Sequence, residues 1–260
     1  MTTIPFFQVD AFAERPLTGN PAAVMPLEHW LDDALLQGIA TENNLSETAF
    51  TIPSEKEGID FDLRWFTPTA EVDLCGHATL ASGHILMTGQ SVRFSTRSGM
   101  LIVSRQDDLL ELDMRAANLS EVREPELFAA LGLPEGTAWL ADGYNDAAII
   151  EVADEGAVRA CTPDFASLKK VPRMAVVTAR GTKHDIVSRV FVPYLGIDED
   201  PVTGSAHAAL VPYWTKRLGR HEFTALQASA RSGVLHCRQQ GDRAVLGGHC
   251  HTVIVGQFQL

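Results

Sequence analysis

The chain has 260 residues, enough to bury a large core in one domain or in two of about 130. Its 33 acidic against 21 basic side chains give a formal net charge of -12, which argues against nucleic acid and anionic membrane surfaces as partners. There is no apolar stretch near about 18 residues, no basic leader at the N-terminus and no C-x-x-C among Cys75, Cys161, Cys237 and Cys250, so a soluble, cytoplasmic, reduced chain is expected.

In chain order, residues 4–12 read as an opening strand, 15–21 as a turn with Pro16, Gly19, Asn20 and Pro21, and 22–25 as a second strand. Residues 26–42 carry Trp30, Leu31, Leu35, Ile39 and Ala40 at helical spacing, predicting an outer helix. Residues 45–53 alternate as a strand that places Glu47 beside Leu45, Ala49 and Phe50; if that face is interior, Glu47 is a buried carboxylate. Residues 61–66 form a strand, 67–75 a loop, and the apolar run after Gly76 a buried helix. Two or three strands fill 91–115, and 116–124 is a polar passage between halves. A short helix is predicted at 125–131, strands at 138–152, a helix at 163–170, and strands at 174–179 and 186–192. A second buried helix begins at Gly204 and is expected to kink near Pro212, and strands cover 222–230, 233–238, 243–246 and 251–258.

Two stretches share one design. Arg64-Trp65-Phe66-Thr67-Pro68 and Arg189-Val190-Phe191-Val192-Pro193 both fit R-x-F-x-P, and each leads through a short linker to a glycine and a run of small apolar residues, at Gly76 and at Gly204. This is an internal repeat of two half-chains. A helix start of this kind is an anion site, because its first N–H groups lack intrahelical partners and the macrodipole adds roughly half a positive charge. Ser205 adds a hydroxyl donor. Two such ends suit a substrate with a carboxylate.

His77 reads either as a proton shuttle or as a packing histidine, and Asp200 either as a substrate-orienting carboxylate or as an acceptor in the turn before the helix. Asp200, Ser205 and His207 imitate a hydrolase triad, but Ser205 and His207 are two apart on a helix and point apart. His249-Cys250-His251 alternates faces in a strand and lacks a further spaced pair, so no metal site is expected there. No G-x-G-x-x-G and no phosphate-binding loop are present.

Asp10-Ala11-Phe12, Gly19-Asn20-Pro21, Leu45-Ser46-Glu47-Thr48-Ala49-Phe50, Phe66-Thr67-Pro68, Leu74-Cys75-Gly76-His77-Ala78-Thr79 and Glu199-Asp200-Pro201-Val202-Thr203-Gly204-Ser205-Ala206-His207 occur in that order. On these motifs the chain resembles the PhzF (phenazine biosynthesis-like) family, which shares the diaminopimelate epimerase fold. The resemblance implies an α+β architecture of two similar halves, each a rolled, barrel-like β-sheet around a central α-helix. It places residues 1–116 in the first half and 117–250 in the second, with a last strand near 251–260 returning to the first. It further implies a homodimer, no cofactor, and an isomerase whose active site lies between the halves. Glu47 would move a proton between carbons of a small carboxylated metabolite, with His77 and Asp200 beside it in catalysis, and Asn20, Gly76, Gly204 and Ser205 would bind the substrate. Related epimerases use a cysteine at each helix start; Cys75 occupies the first position and Thr203 the second. Two alternatives remain open here: a non-catalytic carboxylate-binding protein, and an amino-acid epimerase using Cys75 and Glu47.

Overall fold

A computed structural model describes residues 3–144 and 146–260; Asn145, within the stretch expected as strands, lies outside them. The chain divides into two compact units, one formed by the residues up to Asp113 together with Gly247–Leu260, the other by Met114–Leu246.

The first unit contains β1 (Thr3–Ala11), β2 (Asn20–Pro26), α1 (Asp33–Asn43), β3 (Glu47–Pro53), β4 (Phe61–Phe66), β5 (Glu71–Val72), α2 (Gly76–Leu86), β6 (Ser91–Thr96), β7 (Gly99–Gln106), β8 (Leu109–Arg115) and β18 (Cys250–Gln259). From one edge, β18 pairs antiparallel with β1 and β1 with β2; β2 runs parallel to β3, β3 antiparallel to β4, and β4 parallel to β6, with β7 and β8 following antiparallel. Each parallel pair needs a crossover, and the helices supply it: α1 joins β2 to β3, and α2 lies between β4 and β6.

Helix α2 is buried from Gly76 to Gly83 and touches β1, β2, β3, β6, β7 and β18, so the sheet is rolled around it. Small residues allow that approach. A Cβ on Gly83 would lie 2.5 Å from Val103 Cγ1 and 2.8 Å from Val103 Cβ. Gly83→Ala is therefore expected to cost about 1–3 kcal/mol by overpacking, measured as a lowered urea midpoint. Adding Val103→Ala should restore only part of it, since the Val103 Cβ remains too close. On the other face of the sheet, Leu36 and Ile39 of α1 pack with Met25, Phe50 and Phe66.

The second unit repeats this scheme with β9 (Leu119–Val122), α3 (Pro125–Ala130), β10 (Ala138–Ala141), β11 (Ala147–Glu151), α4 (Glu155–Ala160), α5 (Phe165–Leu168), β12 (Ala175–Arg180), β13 (Ile186–Val192), β14 (Ile197–Asp200), α6 (Gly204–Leu218), β15 (Glu222–Gln227), β16 (Gly233–Gln240) and β17 (Arg243–Gly248). The order of pairings matches: β9 with β10 and β10 with β11 antiparallel, β11 with β12 parallel, β12 with β13 antiparallel, β13 with β15 parallel, β15 with β16 antiparallel. Leu127, Phe128, Val158, Leu168, Val177 and Phe191 belong to one core cluster beneath its outer helices.

The R-x-F-x-P repeat has the same structure twice. Arg64 makes a two-pronged ion pair with Glu71 of β5 at 2.7 and 2.8 Å, and Arg189 makes one with Glu199 of β14 at 2.8 and 2.8 Å. Each guanidinium stands over the phenylalanine two residues on, at 5.1 Å from Phe66 and 4.8 Å from Phe191. The arginine thus clamps the short strand that leads into the buried helix.

Several elements differ from expectation. Helix α1 starts at Asp33 rather than near Pro26, because the Asp32 side chain accepts the Ala34 N–H and fixes the start there. The loops expected at 67–75 and around Glu199 contain β5 and β14, and the polar passage at 116–124 contains β9. Helix α4 was not foreseen; Asp154 caps it through Ala157 N–H. Helix α6 begins at Gly204 as expected and runs to Leu218, with Pro212 inside it and Gly219 closing it in the left-handed conformation. Among the described residues, no helix is long and apolar enough to cross a membrane.

Candidate active site

In the first unit, four side chains meet at the start of α2. Helix α2 opens at Gly76 with Cys75 as its cap residue in extended conformation, and no side chain caps it. His77, in the first turn, is buried and extends its ring toward the first residue of β3, so that its Nε2 lies 3.0 Å from Glu47 Oε2. Both atoms are buried, and neither makes a hydrogen bond; the contact lies off the line that a hydrogen bond requires. On the other side of the ring, Nδ1 lies 3.2 Å from Asn20 Nδ2 and 3.6 Å from Cys75 Sγ.

Asn20 is brought there by a turn that only glycine fits. Gly19 has φ of +69°, and a Cβ on it would sit 2.3 Å from the Ala11 carbonyl oxygen. The preceding loop is tied by Asp10, whose carboxylate accepts the Leu17 N–H at 2.7 Å. Asp10 and Phe12 are themselves buried, and Phe12 fills the space that a side chain at Gly248 would take. The Asp10-Ala11-Phe12 motif therefore shapes the loop.

Charge in this cluster is set by burial and by proximity. Burial disfavours an imidazolium at His77, but the Glu47 carboxylate 3.0 Å away opposes this and raises its pKa, the Cys75 sulfur adding to the rise only as a thiolate. Burial pushes the Cys75 thiol up to about 11, with Glu47 adding to the rise, so at neutral pH the thiol keeps its proton. Glu47 is not the deeply buried carboxylate the alternation suggested: its side chain keeps 16% exposure and faces a cation rather than apolar neighbours alone.

In the second unit, α6 opens at Gly204 with Thr203 as cap residue, again without a side-chain cap. Asp200, at the end of β14, accepts a hydrogen bond from the Thr203 hydroxyl at 2.5 Å. Gly204 is buried in the first turn, and Ser205 beside it is half-buried. A residue that sequence reasoning missed holds this loop. Gln227, fully buried at the end of β15, accepts the Thr203 N–H at 2.8 Å and donates to the Asp200 carbonyl at 2.7 Å. Only its place in a strand pattern was visible, and nothing there marks a side chain that reaches a loop 24 residues away. Replacing it by leucine orphans both backbone groups, at about 1–3 kcal/mol each. The expected result is a lower urea midpoint and faster exchange of the Thr203 amide hydrogen.

His207 belongs to no triad. Its Nδ1 lies 2.8 Å from the Thr203 carbonyl oxygen, to which it donates, and its Nε2 faces Ser188 Oγ at 3.5 Å. Burial lowers its pKa to about 4, so the ring stays neutral. Thr79 makes the corresponding contact in the first unit, donating its hydroxyl to the Cys75 carbonyl. Among the described residues, the one group of three that could hold a metal is Glu47, Cys75 and His77; His249, Cys250 and His251 form none.

The sequence profile described as phenazine biosynthesis-like protein matches residues 9–256. An uncharacterized isomerase from Pseudomonas aeruginosa is 50% identical over 264 residues, covering 99% of this chain and 99% of its own. The crystal structure of a PhzF family protein from Enterococcus faecalis has a TM-score of 0.91 at 43% identity, with 100% of both chains covered. A hydroxyproline epimerase from Agrobacterium vitis, at 13% identity and a TM-score of 0.61 over 98% of this chain and 92% of its own, shares the fold alone. The α+β fold of rolled sheets around a central helix, expected from the motifs, is thus that of the PhzF and epimerase-like proteins. With the profile spanning nearly the whole sequence and full-length relatives at such identity, the chain belongs to the PhzF (phenazine biosynthesis-like) family.

Proposed function

We infer that this chain is an isomerase that moves a hydrogen between carbons of a small carboxylated metabolite, with Glu47 taking the proton and giving it back. The observation that carries this reading is the placing of Glu47 Oε2 3.0 Å from His77 Nε2 at an uncapped helix start, with neither atom hydrogen-bonded. A carboxylate so placed has a free lone pair for a proton. In the reaction, a C–H bond breaks as an O–H bond forms on Glu47, and the electron pair passes into the substrate's own conjugated carboxylate system. The proton then returns from Glu47 to a different carbon. Developing negative charge is stabilised by the N–H groups at Gly76 and by the His77 ring, which favours an anion beside it.

The electron sink is the substrate itself, so this reading needs no cofactor. Asn20 positions His77 and borders the substrate. In the second unit, Gly204 and Ser205 open α6 in the same manner, and this reading assigns them to substrate binding, with Asp200 orienting a polar group. An epimerase with Cys75 as the second base is disfavoured, because the thiol holds its proton up to about pH 11 and Thr203 stands at the equivalent helix start. The homodimer implied by the resemblance is part of the same proposal.

The test is a screen for solvent hydrogen incorporation. The protein is incubated in D₂O with pooled carboxylated metabolites and read by mass spectrometry. A mass gain on one compound that depends on Glu47 gives both the substrate and the base. Compounds that raise the melting temperature with no gain on any of them would replace this reading with a carboxylate-binding protein.

A further inference from the structure

The two units finish their sheets differently. In the order of pairings, β9 of the second unit answers to β18 of the first: β9 lies antiparallel beside β10, and β18 antiparallel beside β1. An outermost strand presents a row of unpaired backbone N–H and C=O groups that another strand can join, and proteins guard such edges with shortness and with charge. The β9 edge is guarded: it has four residues, Glu121 on it is exposed, and the exposed Arg123 follows at once. The β18 edge is not. It has ten residues, and from Thr252 to Leu260 the chain holds no charged side chain and no proline. Ile254 is 48% exposed there and Val255 71%.

Apolar surface flanks this edge on both faces of the sheet. The pairing with β1 is irregular between Gln8 and Val9, and from Ile254 onward β18 runs in unbroken register, Ile254 opposite Gln8 and Gln259 opposite Thr3. Residues directly opposite each other share a face. Val255 therefore stands with the half-buried Phe7 on one face, and Ile254 with the half-buried Phe6 and Phe258 on the other. A further strand laid along Ile254–Gln259 covers both groups and takes up the free backbone groups between them.

Charge selects the occupant. With a net charge of -12, two copies of this chain repel one another over most of their surface and can meet only where charge is absent. In a two-fold antiparallel pairing a strand also meets its own residues, so a charge near the axis would face the same charge. A strand of Thr, Val, Ile, Gly, Gln and Phe avoids both penalties, and it offers no acidic side chain to draw a basic peptide instead. We propose that β18 is a homodimer interface, in which the strands of two copies pair antiparallel along Ile254–Gln259 and join two first-unit sheets across a two-fold axis. This rests on the homodimer of the reading above and names its surface.

The experiment is sedimentation equilibrium on the full chain over a micromolar dilution series. The wild type is expected at twice the mass of one chain. Val255→Lys places a charge on the exposed edge and should raise the dimer dissociation constant at least about 100-fold, with unchanged far-ultraviolet circular dichroism. Val255→Thr, branched and uncharged, should remain dimeric. Amide hydrogen exchange across residues 254–259 should be slow in the wild type and in Val255→Thr and fast in Val255→Lys. A wild type at the mass of one chain overturns the homodimer and this surface together. A Val255→Lys chain that stays dimeric leaves the homodimer standing and overturns the surface. If Val255→Lys does not fold, Ile254→Lys on the other face of the strand is read in the same way. The proton-transfer reading is scored separately, by solvent hydrogen incorporation, and does not depend on the mass found here.

Discussion

Glu47→Gln is expected to lower solvent hydrogen incorporation by roughly 10²- to 10⁴-fold while the chain stays folded. An amide has nearly the shape of a carboxylate but cannot take up a proton at neutral pH, so the substitution removes the chemistry and leaves the volume. What the substitution does remove is the ion pair with His77, whose Nε2 lies 3.0 Å from Glu47 Oε2, so the urea midpoint is measured alongside. The substrate's carboxylate, in the proposed reading, rests on the N–H groups at Gly76 and on His77, so the loss should fall on kcat and leave KM within a few fold. Glu47→Asp is the sharper companion. It keeps the acid but withdraws it by one methylene, and a displacement of about 1 Å can cost about 10²-fold. An aspartate variant lying between glutamine and wild type places the requirement on the carboxylate and its position. A glutamine variant that exchanges substrate hydrogen at the normal rate removes Glu47 from the mechanism.

Much of the architecture was legible because it is written as repeats. The two R-x-F-x-P stretches and the two glycine-led apolar runs announce two half-chains, and the structure gives both arginines the same carboxylate clamp and the same phenylalanine beneath. The clamps were not legible. Their acidic partners lie on β5 and β14, and a strand of two residues such as Glu71–Val72 carries no alternation to read. Spacing gave no help either, since Glu71 follows its arginine by seven residues and Glu199 by ten.

The site shows the same division. Glycine at 76 and 204 marks a helix start because a backbone signal is local, and both helices begin there. Contacts across the fold leave no such trace: Asn20 reaches His77 over 57 positions, and Gln227 reaches back 24 to Thr203. The alternation around Glu47 correctly indicated a strand, yet whether its carboxylate meets apolar side chains or a histidine is decided by α2, which the strand's own sequence does not mention.

The second large effect is on stability, and it belongs to His207. Its pKa is lowered from 6.5 to about 4 by burial at 0% exposure, so the folded chain binds fewer protons than the unfolded one wherever the unfolded imidazole is charged. The group therefore contributes its full stability above about pH 6.5 and loses it as pH falls toward 4. At about 1.4 kcal/mol per unit, the loss comes to about 3 kcal/mol. Other groups occupy other windows or are removed by comparison. Glu155, held down to about 2 by Thr182 and Arg159, loses its contribution only below about 4.5. His77, with its raised pKa, contributes below about 6.5 and fades as pH rises, the opposite direction. His84 is lowered by burial and acts in the same sense as His207, so the reading must be a difference against a His207→Gln variant. Urea unfolding of both chains between pH 7.5 and 4 is expected to show the variant less stable at neutral pH and the gap narrowing by about 3 kcal/mol as pH falls. Parallel pH dependences would mean that the ring is charged in the fold or solvated outside it. The same experiment bears on the repeat. Thr79 ties the first turn of α2 to the Cys75 carbonyl with a hydroxyl that does not titrate in this range, whereas His207 ties the first turn of α6 to the Thr203 carbonyl with a ring that does. Acid should therefore loosen the Gly204 helix start before the Gly76 one, and amide hydrogen exchange near pH 5 should rise first at His207, whose N–H closes that first turn on the Thr203 carbonyl, and only later at Thr79, whose N–H does the same on Cys75.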